Sequence, residues 1–500
     1  MACKLQASIL KNGEFYLLSV ARDQTGAGAG EEAAAAQALR SWLGLALIAL
    51  VLAGIFALAV VVGRMPPFDR YVTDPLFFKR CLVAHVNLAL VAWSYSFLAA
   101  LLFGLPSRGR GWTARKSVYL AAGGIGMMML GAAMPAGQPV LSNYIPTIDN
   151  GPFKLGQLAF FAGVLLSFLD RGLLRDGGRR GLLELSGAAR SGLRSAAGAF
   201  GLATLTFAIA YLKQPVAIDL EVQYELLVWG GGHVLQLVCT LAMVTLWLIL
   251  LEQVLGAPPV SRAAARGVFF AMLLPWTLSP LLALQGTWTA AYRSGFTSLM
   301  QWCIFPGVCV FLILCSRSLY RAWRARLIGL RALADYRVTA FLVSGVLALL
   351  GFGLGAAIRG SNTMVPAHYH ASVGAVTVSF MAGTFMLLSA LRLSIPTLRL
   401  RRAAAWQPLL YGTGMLVFAS GFALAGAHGM GRKVYGAEQA ARGLAETIGL
   451  GMMGIGGLIS ISGGLLFLGV VAAAWWHGVE SGSHPVAELE KGSGRWRLGT

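Results

Sequence analysis

Long apolar stretches recur along this sequence and restrict its fold to helices packed in a membrane. About 20 apolar residues in an α-helix cross the roughly 30 Å of hydrocarbon in a bilayer, and a helix satisfies its own backbone polar groups there. Hydrophobic residues make up 57% of the chain and charged residues only 12%, which excludes a set of soluble domains. We therefore predict an all-α polytopic membrane protein, a bundle of twelve transmembrane helices. Predicted helices 1 to 12 cover residues 41–63, 80–104, 117–135, 155–169, 192–212, 224–252, 267–285, 297–316, 337–358, 366–391, 407–426 and 446–476.

The charge of the loops between these helices orients the chain. Lys and Arg number 40 against 20 Asp and Glu, which gives a net charge of +20. Connections after even-numbered helices, such as 108–116 and 317–337, hold more of the basic residues than the others. The positive-inside rule assigns these loops to the cytoplasm. Both termini are then cytoplasmic, in what we expect to be a bacterial inner membrane, and the basic charge indicates no nucleic-acid partner.

Polar segments flank the helical part at both ends. Residues 1–40 include a Gly/Ala-rich stretch and predict a partly disordered cytoplasmic tail. Residues 41–476 form the predicted transmembrane domain, and residues 477–500 form a second cytoplasmic tail.

Four histidines lie at one depth in the predicted bundle. His85, His233 and the pair His368 and His370 fall near the start of helices 2, 6 and 10, which all run in the same direction. With a rise of about 1.5 Å per residue, all four lie in the outer third of the bilayer. Polar side chains are costly in hydrocarbon, and imidazole is a common ligand of heme iron, copper and zinc. The four histidines therefore predict a metal or heme site within the transmembrane domain.

The spacing of the pair on helix 10 adds a second inference. Two residues turn a helix by about 200°, so His368 and His370 point to opposite faces. One helix could then hold two different metal centres. The alternative is a pair of hydrogen-bonding histidines at the mouth of the helix.

The helix 10 run Ala-His-Tyr-His-Ala-Ser-Val-Gly-Ala-Val, together with a histidine on helix 2, resembles subunit I of the heme-copper oxidase superfamily. This superfamily includes cytochrome c oxidases and nitric oxide reductases, and its subunit I is a bundle of twelve helices. The resemblance implies two hemes of unknown type. His85 and His370 would be the axial ligands of a low-spin heme, and His368 would bind a high-spin heme.

Two further segments resemble the same superfamily. Gly-Met-Gly-Arg-Lys-Val-Tyr at 429–435 is similar to a segment in which two adjacent basic residues face the heme propionates, which implies that role for Arg432 and Lys433. Trp-Gly-Gly-Gly-His at 229–233 is similar to the helix 6 segment that supplies the first ligand of a non-heme metal, copper or iron. The resemblance thus implies that His233 is a metal ligand, and that His368 and His233 are the catalytic pair.

The sequence also departs from the superfamily pattern. Helix 7 and the loop after it lack the adjacent histidines that complete a three-histidine copper site, and position 237, where oxidases have a tyrosine, is Leu237. Polar residues near helices 6 and 7 are Glu225, Gln236 and Gln285, which we interpret as helix-packing or helix-mouth residues. The non-heme metal site is therefore incomplete in this sequence.

The resemblance implies a membrane-bound, respiratory-type oxidoreductase that reduces oxygen or nitric oxide with electrons from an external donor. No CxxCH heme attachment and no copper-binding domain is present in the sequence, so we expect a second subunit or a cytochrome as electron donor. Two alternatives remain open at this point. One is a non-catalytic heme sensor or electron-transfer subunit on the same scaffold, and the other is a transporter that uses the histidines as a relay.

Overall fold

The computed structural model describes residues 26–71, 73–105, 111–169, 182–215, 218–434, 438–439 and 443–477. Twelve helices in this part of the chain are long and apolar enough to span a membrane, as the sequence predicts. The chain is therefore an integral membrane protein. In chain order the helices are α1 (Gly26–Val62), α2 (Pro75–Phe103), α3 (Gly111–Ala133), α4 (Gly151–Phe168), α5 (Gly187–Leu212), α6 (Leu220–Leu255), α7 (Arg262–Leu284), α8 (Ala290–Arg324), α9 (Tyr336–Ala356), α10 (Met364–Ala390), α11 (Leu398–Ala427) and α12 (Leu444–His477).

Three helices occupy the centre of the bundle. Within the apolar part of each span, 83% of α2, 94% of α6 and 89% of α10 is buried by the rest of the chain, whereas no other described span exceeds 50%. A helix enclosed in this way contacts protein rather than lipid, so it can carry polar side chains that lipid would exclude. These are the three helices on which the sequence places the four histidines.

The end of the bundle where α2, α6 and α10 begin is named the site end. Helix α2 begins after Asp74, whose Oδ1 accepts a hydrogen bond of 2.9 Å from the Leu76 N–H. Helix α6 begins after Asp219, whose Oδ1 accepts from the N–H groups of Glu221 and Val222. These N-caps satisfy backbone donors that have no partner inside the helix. They determine where α2 and α6 start, and hence the depth of His85 and His233.

Residues 134–150 connect α3 to α4 and are named the hairpin loop. Its two short strands pair antiparallel and are β1 (Pro139–Val140) and β2 (Thr147–Ile148). The Pro146 carbonyl accepts hydrogen bonds from Asn87 Nδ2 at 2.8 Å and from Gln157 Nε2 at 3.0 Å, both from buried side chains of the bundle. Asn87 opens a π-helical turn of α2, directly after the turn that carries His85. The hairpin loop is therefore anchored inside the site end, beside the histidine of α2.

Each of the twelve helices begins before the apolar stretch from which it was predicted. Helix α1 begins at Gly26, so residues 26–40 of the predicted tail belong to a helix, and residues 1–25 lie outside the described residues. Helix α11 begins at Leu398, where the Thr397 side chain accepts a hydrogen bond from the Leu400 N–H. Apolar length measures only the part of a helix in hydrocarbon, and helix-forming residues continue the turns beyond it. Most of the predicted C-terminal tail, residues 478–500, also lies outside the described residues.

Candidate functional site

His85 and His370 lie on the central helices α2 and α10 at the site end. The Nδ1–H of His370 donates to the Pro366 carbonyl at 2.7 Å, within α10, and the Nδ1–H of His85 donates to the Ala53 carbonyl of α1 at 3.0 Å. The two side chains are within electrostatic range of each other. The structure thus places in one region of the site end the two histidines that the resemblance assigns to one low-spin heme.

Aromatic rings surround His370 on the side of α11. The His370 ring centroid lies 4.6 Å from that of Phe418 and 5.8 Å from that of Phe422. The guanidinium of Arg64 lies over the Phe422 ring, 5.2 Å from its centroid, and interacts electrostatically with His370. On this side the surroundings of His370 are aromatic, with the guanidinium of Arg64 beyond the Phe422 ring; Arg64 is 3% exposed.

His368 faces a different helix. Its Nδ1–H donates to the Gly351 carbonyl of α9 at 2.6 Å. Gly355, one turn later on α9, leaves room for the ring, because a Cβ at that position would lie 2.8 Å from His368 Nδ1. His368 and His370 therefore lie on opposite sides of α10, as their spacing of two residues predicts.

His233 is enclosed by aromatic rings. Its Nδ1–H donates to the Trp229 carbonyl at 2.7 Å, and its ring lies 4.7 Å from the rings of Tyr144 and Trp229 and 6.0 Å from that of Phe296. Only 2% of its surface is exposed. Tyr144 reaches His233 from the hairpin loop with a left-handed backbone φ of 67°, and burial together with the nearby Glu225 raises the pKa of its phenol. The phenol is therefore a neutral O–H group beside the imidazole at neutral pH.

Glycine at position 232 allows Tyr144 to approach the helix, because a Cβ there would lie 2.5 Å from Tyr144 Cγ. We expect Gly232→Ala to displace the Tyr144 ring from His233 and to lower the free energy of unfolding by about 1–3 kcal/mol, the usual cost of overpacking. Thermal unfolding of the detergent-purified variant measures this loss. Gly201→Ala on α5 is the matched control, since a Cβ there meets nothing within 4 Å. Equal stability of the two variants would contradict the contact.

One hydrogen-bond pattern is common to all four histidines. Each Nδ1 lies against a backbone carbonyl, which can only accept, so each Nδ1 carries the proton and each Nε2 keeps its lone pair. Among the described residues, none of these Nε2 atoms takes part in a hydrogen bond. Metal-binding histidines commonly donate their second N–H to a carbonyl in this way, which fixes the tautomer and the ring orientation. The imidazoles thus have the protonation state that axial ligation of iron requires.

Arg432 lies at the site end, in the loop between α11 and α12. Its Nη1–H donates to Asn143 Oδ1 at 2.9 Å, while its buried Nε has no hydrogen-bond partner among the described residues. A buried donor of this kind is costly unless an acceptor satisfies it. An anionic carboxylate such as a heme propionate would supply that acceptor. Lys433 is half-buried in the same loop.

Arg64 holds the Arg432 loop against the end of α1. Its Nη2–H donates to the Gly431 carbonyl at 2.7 Å, and its Nε–H donates to Gln439 Oε1 at 3.0 Å. Neither Arg64 nor Asn143 nor Tyr144 was identified from the sequence. Arg64 directly follows the predicted helix 1, where a basic residue is common, and the other two lie in a polar loop without a recognisable motif. No sequence signal distinguished them from surface residues.

The surroundings of His233 do not suit a copper ion with three side-chain ligands. Within the described ranges, no group of three or more His, Cys, Asp or Glu side chains lies close enough to hold a metal ion. The positions around His233 are taken by the rings of Tyr144, Trp229 and Phe296 instead. The two observations together favour an aromatic environment for this histidine over a metal centre, and its role as a metal ligand stays a prediction.

Comparison with solved structures identifies the fold. The chain aligns with a structure described as "Cryo-EM structure of a heme-copper terminal oxidase dimer provides insights into its catalytic mechanism", with a TM-score of 0.69 and 17% sequence identity, over 90% of this chain and 86% of that one. The chain has the heme-copper oxidase fold. The fold class that the helix 10 motif implied is therefore confirmed. At this identity the likeness is one of fold.

Sequence comparisons place the chain beside proteins without assigned functions. An "Uncharacterized protein" of Aquifex aeolicus (strain VF5) is 28% identical over 355 residues, 70% of this chain and 84% of that protein. "Uncharacterized protein RP382" of Rickettsia prowazekii (strain Madrid E) is 25% identical over 493 residues, 86% of this chain and 94% of that protein. No family model matches the sequence. The heme-copper oxidase fold of this chain was therefore recognisable from its structure and from short motifs.

Proposed function

We propose that this protein is the heme-bearing subunit of a membrane oxidoreductase that reduces oxygen or nitric oxide. His85 and His370 would hold a low-spin heme, and His368 would hold a high-spin heme. The observation that carries this proposal is the state of His85 and His370 on the central helices α2 and α10, each with a protonated Nδ1 and a free Nε2. The heme-copper oxidase fold supports the same arrangement.

The chain's own residues determine how such a site would work. The carbonyls of Ala53, Pro366 and Gly351 orient the three imidazoles and increase the basicity of their Nε2 atoms. Arg432 and Lys433, in the loop at the site end, would neutralise the propionates. When bound, the two hemes would pass electrons and bind the diatomic substrate. Whether the protein reduces oxygen or nitric oxide would then depend on which of the two gases the high-spin heme binds.

His233 and the neutral phenol of Tyr144 would act as the polar groups of the substrate pocket. We assign them no copper, because aromatic rings surround His233 where further ligands would be needed. The electrons would come from a second subunit or a cytochrome. The same proposal has the protein in a bacterial inner membrane with both termini in the cytoplasm, because the loops after even-numbered helices are the more basic and the positive-inside rule assigns such loops to the cytoplasm.

A second candidate function is a heme sensor or electron-transfer subunit without catalysis. The enclosure of His233 by aromatic side chains favours it, since a single iron site binds a gas but reduces it with difficulty when no second metal supplies electrons. A transporter is disfavoured, because α6 and α10 are continuous helices, whereas substrate sites of transporters are typically formed by broken ones.

The reduced-minus-oxidised absorption spectrum of the purified protein tests the proposal. The measurement is made with and without carbon monoxide, alongside iron and copper analysis. We expect two hemes per chain, of which one binds the gas, and no stoichiometric copper. Protein without heme would overturn the proposal and return the transporter to first place. Two hemes without turnover of oxygen or nitric oxide would favour the sensor.

A further inference from the structure

A chain of hydrogen bonds joins the start of α6 to Arg432. The Glu225 carboxylate accepts two hydrogen bonds from Asn143, one from the backbone N–H at 2.7 Å and one from the side-chain Nδ2. Asn143 Oδ1 in turn accepts from Arg432 Nη1 at 2.9 Å. Three separate segments of the chain, α6, the hairpin loop and the loop before α12, therefore meet at this point.

Glu225 determines which side of the Asn143 amide faces Arg432. A carboxylate only accepts, so it holds the NH₂ group of the amide and turns the carbonyl oxygen towards the guanidinium. Without the carboxylate, the amide could rotate and present its NH₂ group to Arg432, which is also only a donor. The orientation of the guanidinium thus depends on a residue that it does not touch.

The free donor of Arg432 indicates what this arrangement serves. Arg432 Nε is buried and lacks a partner among the described residues, while Nη1 is held by Asn143. A guanidinium anchored through one nitrogen presents its remaining N–H groups in a fixed direction, which suits a carboxylate. We propose that Glu225 and Asn143 are positioning residues that hold Arg432 against a heme propionate and thereby raise the midpoint potential of that heme. The tuning of the potential rests on the proposed function, whereas the positioning of Arg432 does not.

The sign of the change in potential separates positioning from a direct effect of charge. Removing the negative charge of Glu225 would by itself favour the reduced, less positive heme and raise the potential. Losing the fixed positive charge of Arg432 would lower it. We expect Glu225→Gln, Arg432→Ala and Asn143→Ala each to lower the potential. The expected change is roughly tenfold in the reduction equilibrium, the effect of one charge-assisted hydrogen bond, or 59 mV for one electron. Glu221→Gln, an exposed carboxylate one turn earlier on α6, is the matched control.

A double substitution tests the geometry with the charge conserved. With Glu225→Gln and Asn143→Asp together, the new amide can donate to the new carboxylate, which still accepts from Arg432. We expect this pair to restore the potential towards that of the unmodified protein. Failure of the pair to restore what Glu225→Gln lowers would overturn the positioning role. A rise in the midpoint potential in the single variant Glu225→Gln would also overturn the positioning role.

Limited trypsin cleavage after Arg432 and Lys433 provides a readout that needs no heme. Loss of the anchor should expose this loop, so Glu225→Gln and Asn143→Ala should be cut faster than the Glu221→Gln control. If the unmodified protein carries no heme but the loop is released as expected, positioning stands and the proposed function fails. If cleavage is unchanged, positioning fails. If the loop is released but the potential does not move, the propionate role of this anchor is overturned.

Discussion

Replacement of His370 by alanine is expected to abolish the spectrum of a six-coordinate low-spin heme. His370 and His85 lie on the central helices α10 and α2, and each presents a free Nε2. An axial ligand lost from iron leaves a five-coordinate or vacant site, since alanine has no donor atom. The measurement is the low-spin signal in the absorption and electron paramagnetic resonance spectra, and His85→Ala should have the same effect.

His428→Ala provides the matched control. His428 makes the same kind of bond, from Nδ1–H to the Leu424 carbonyl at 2.9 Å, but it is exposed at the end of α11. Its substitution should leave both heme signals unchanged. A low-spin signal that survives both His370→Ala and His85→Ala would refute the axial assignment, provided that each variant enters the membrane in normal amounts.

The His368→Ala variant should lose the heme that binds carbon monoxide and keep the low-spin signal. His368 faces α9 and His370 faces α11, so substitution of one leaves the helix contacts of the other in place. Turnover of oxygen or nitric oxide should fall to background, because the substrate would bind only at the iron that His368 holds. The carbon monoxide difference spectrum and the rate of gas consumption measure the two effects.

The matched control for this second variant lies on the same face of the site. Ser372→Ala removes a hydroxyl one turn from His368; among the described residues this hydroxyl donates to the His368 backbone carbonyl, at 3.0 Å. It should retain gas binding. Carbon monoxide binding that persists in His368→Ala would show that another side chain holds the high-spin iron, and His233 would then be the first candidate.

The number and the order of the membrane spans followed from the sequence alone. Apolar length is a local property, and the bilayer imposes it on each helix separately. The placement of the four histidines on α2, α6 and α10 was also predictable, and the structure adds that these three are the most buried spans. Helix ends were less predictable. Helix α11 begins at Leu398, inside a basic segment that hydropathy excludes from the predicted span. The helix includes this segment because arginine has a high helix propensity.

The sequence by itself determined which residues could ligate a metal, because a histidine inside an apolar helix is unusual whatever the direction of its side chain. Only the tertiary structure decided their surroundings. Asn143 and Arg432 are 289 residues apart, and Arg64 and Gly431 are 367 apart, yet each pair is hydrogen-bonded. Tyr144 meets His233 because an irregular loop, anchored through Pro146, enters the bundle. Such contacts depend on how helices and loops pack, whereas apolar length and residue type are properties of each segment alone.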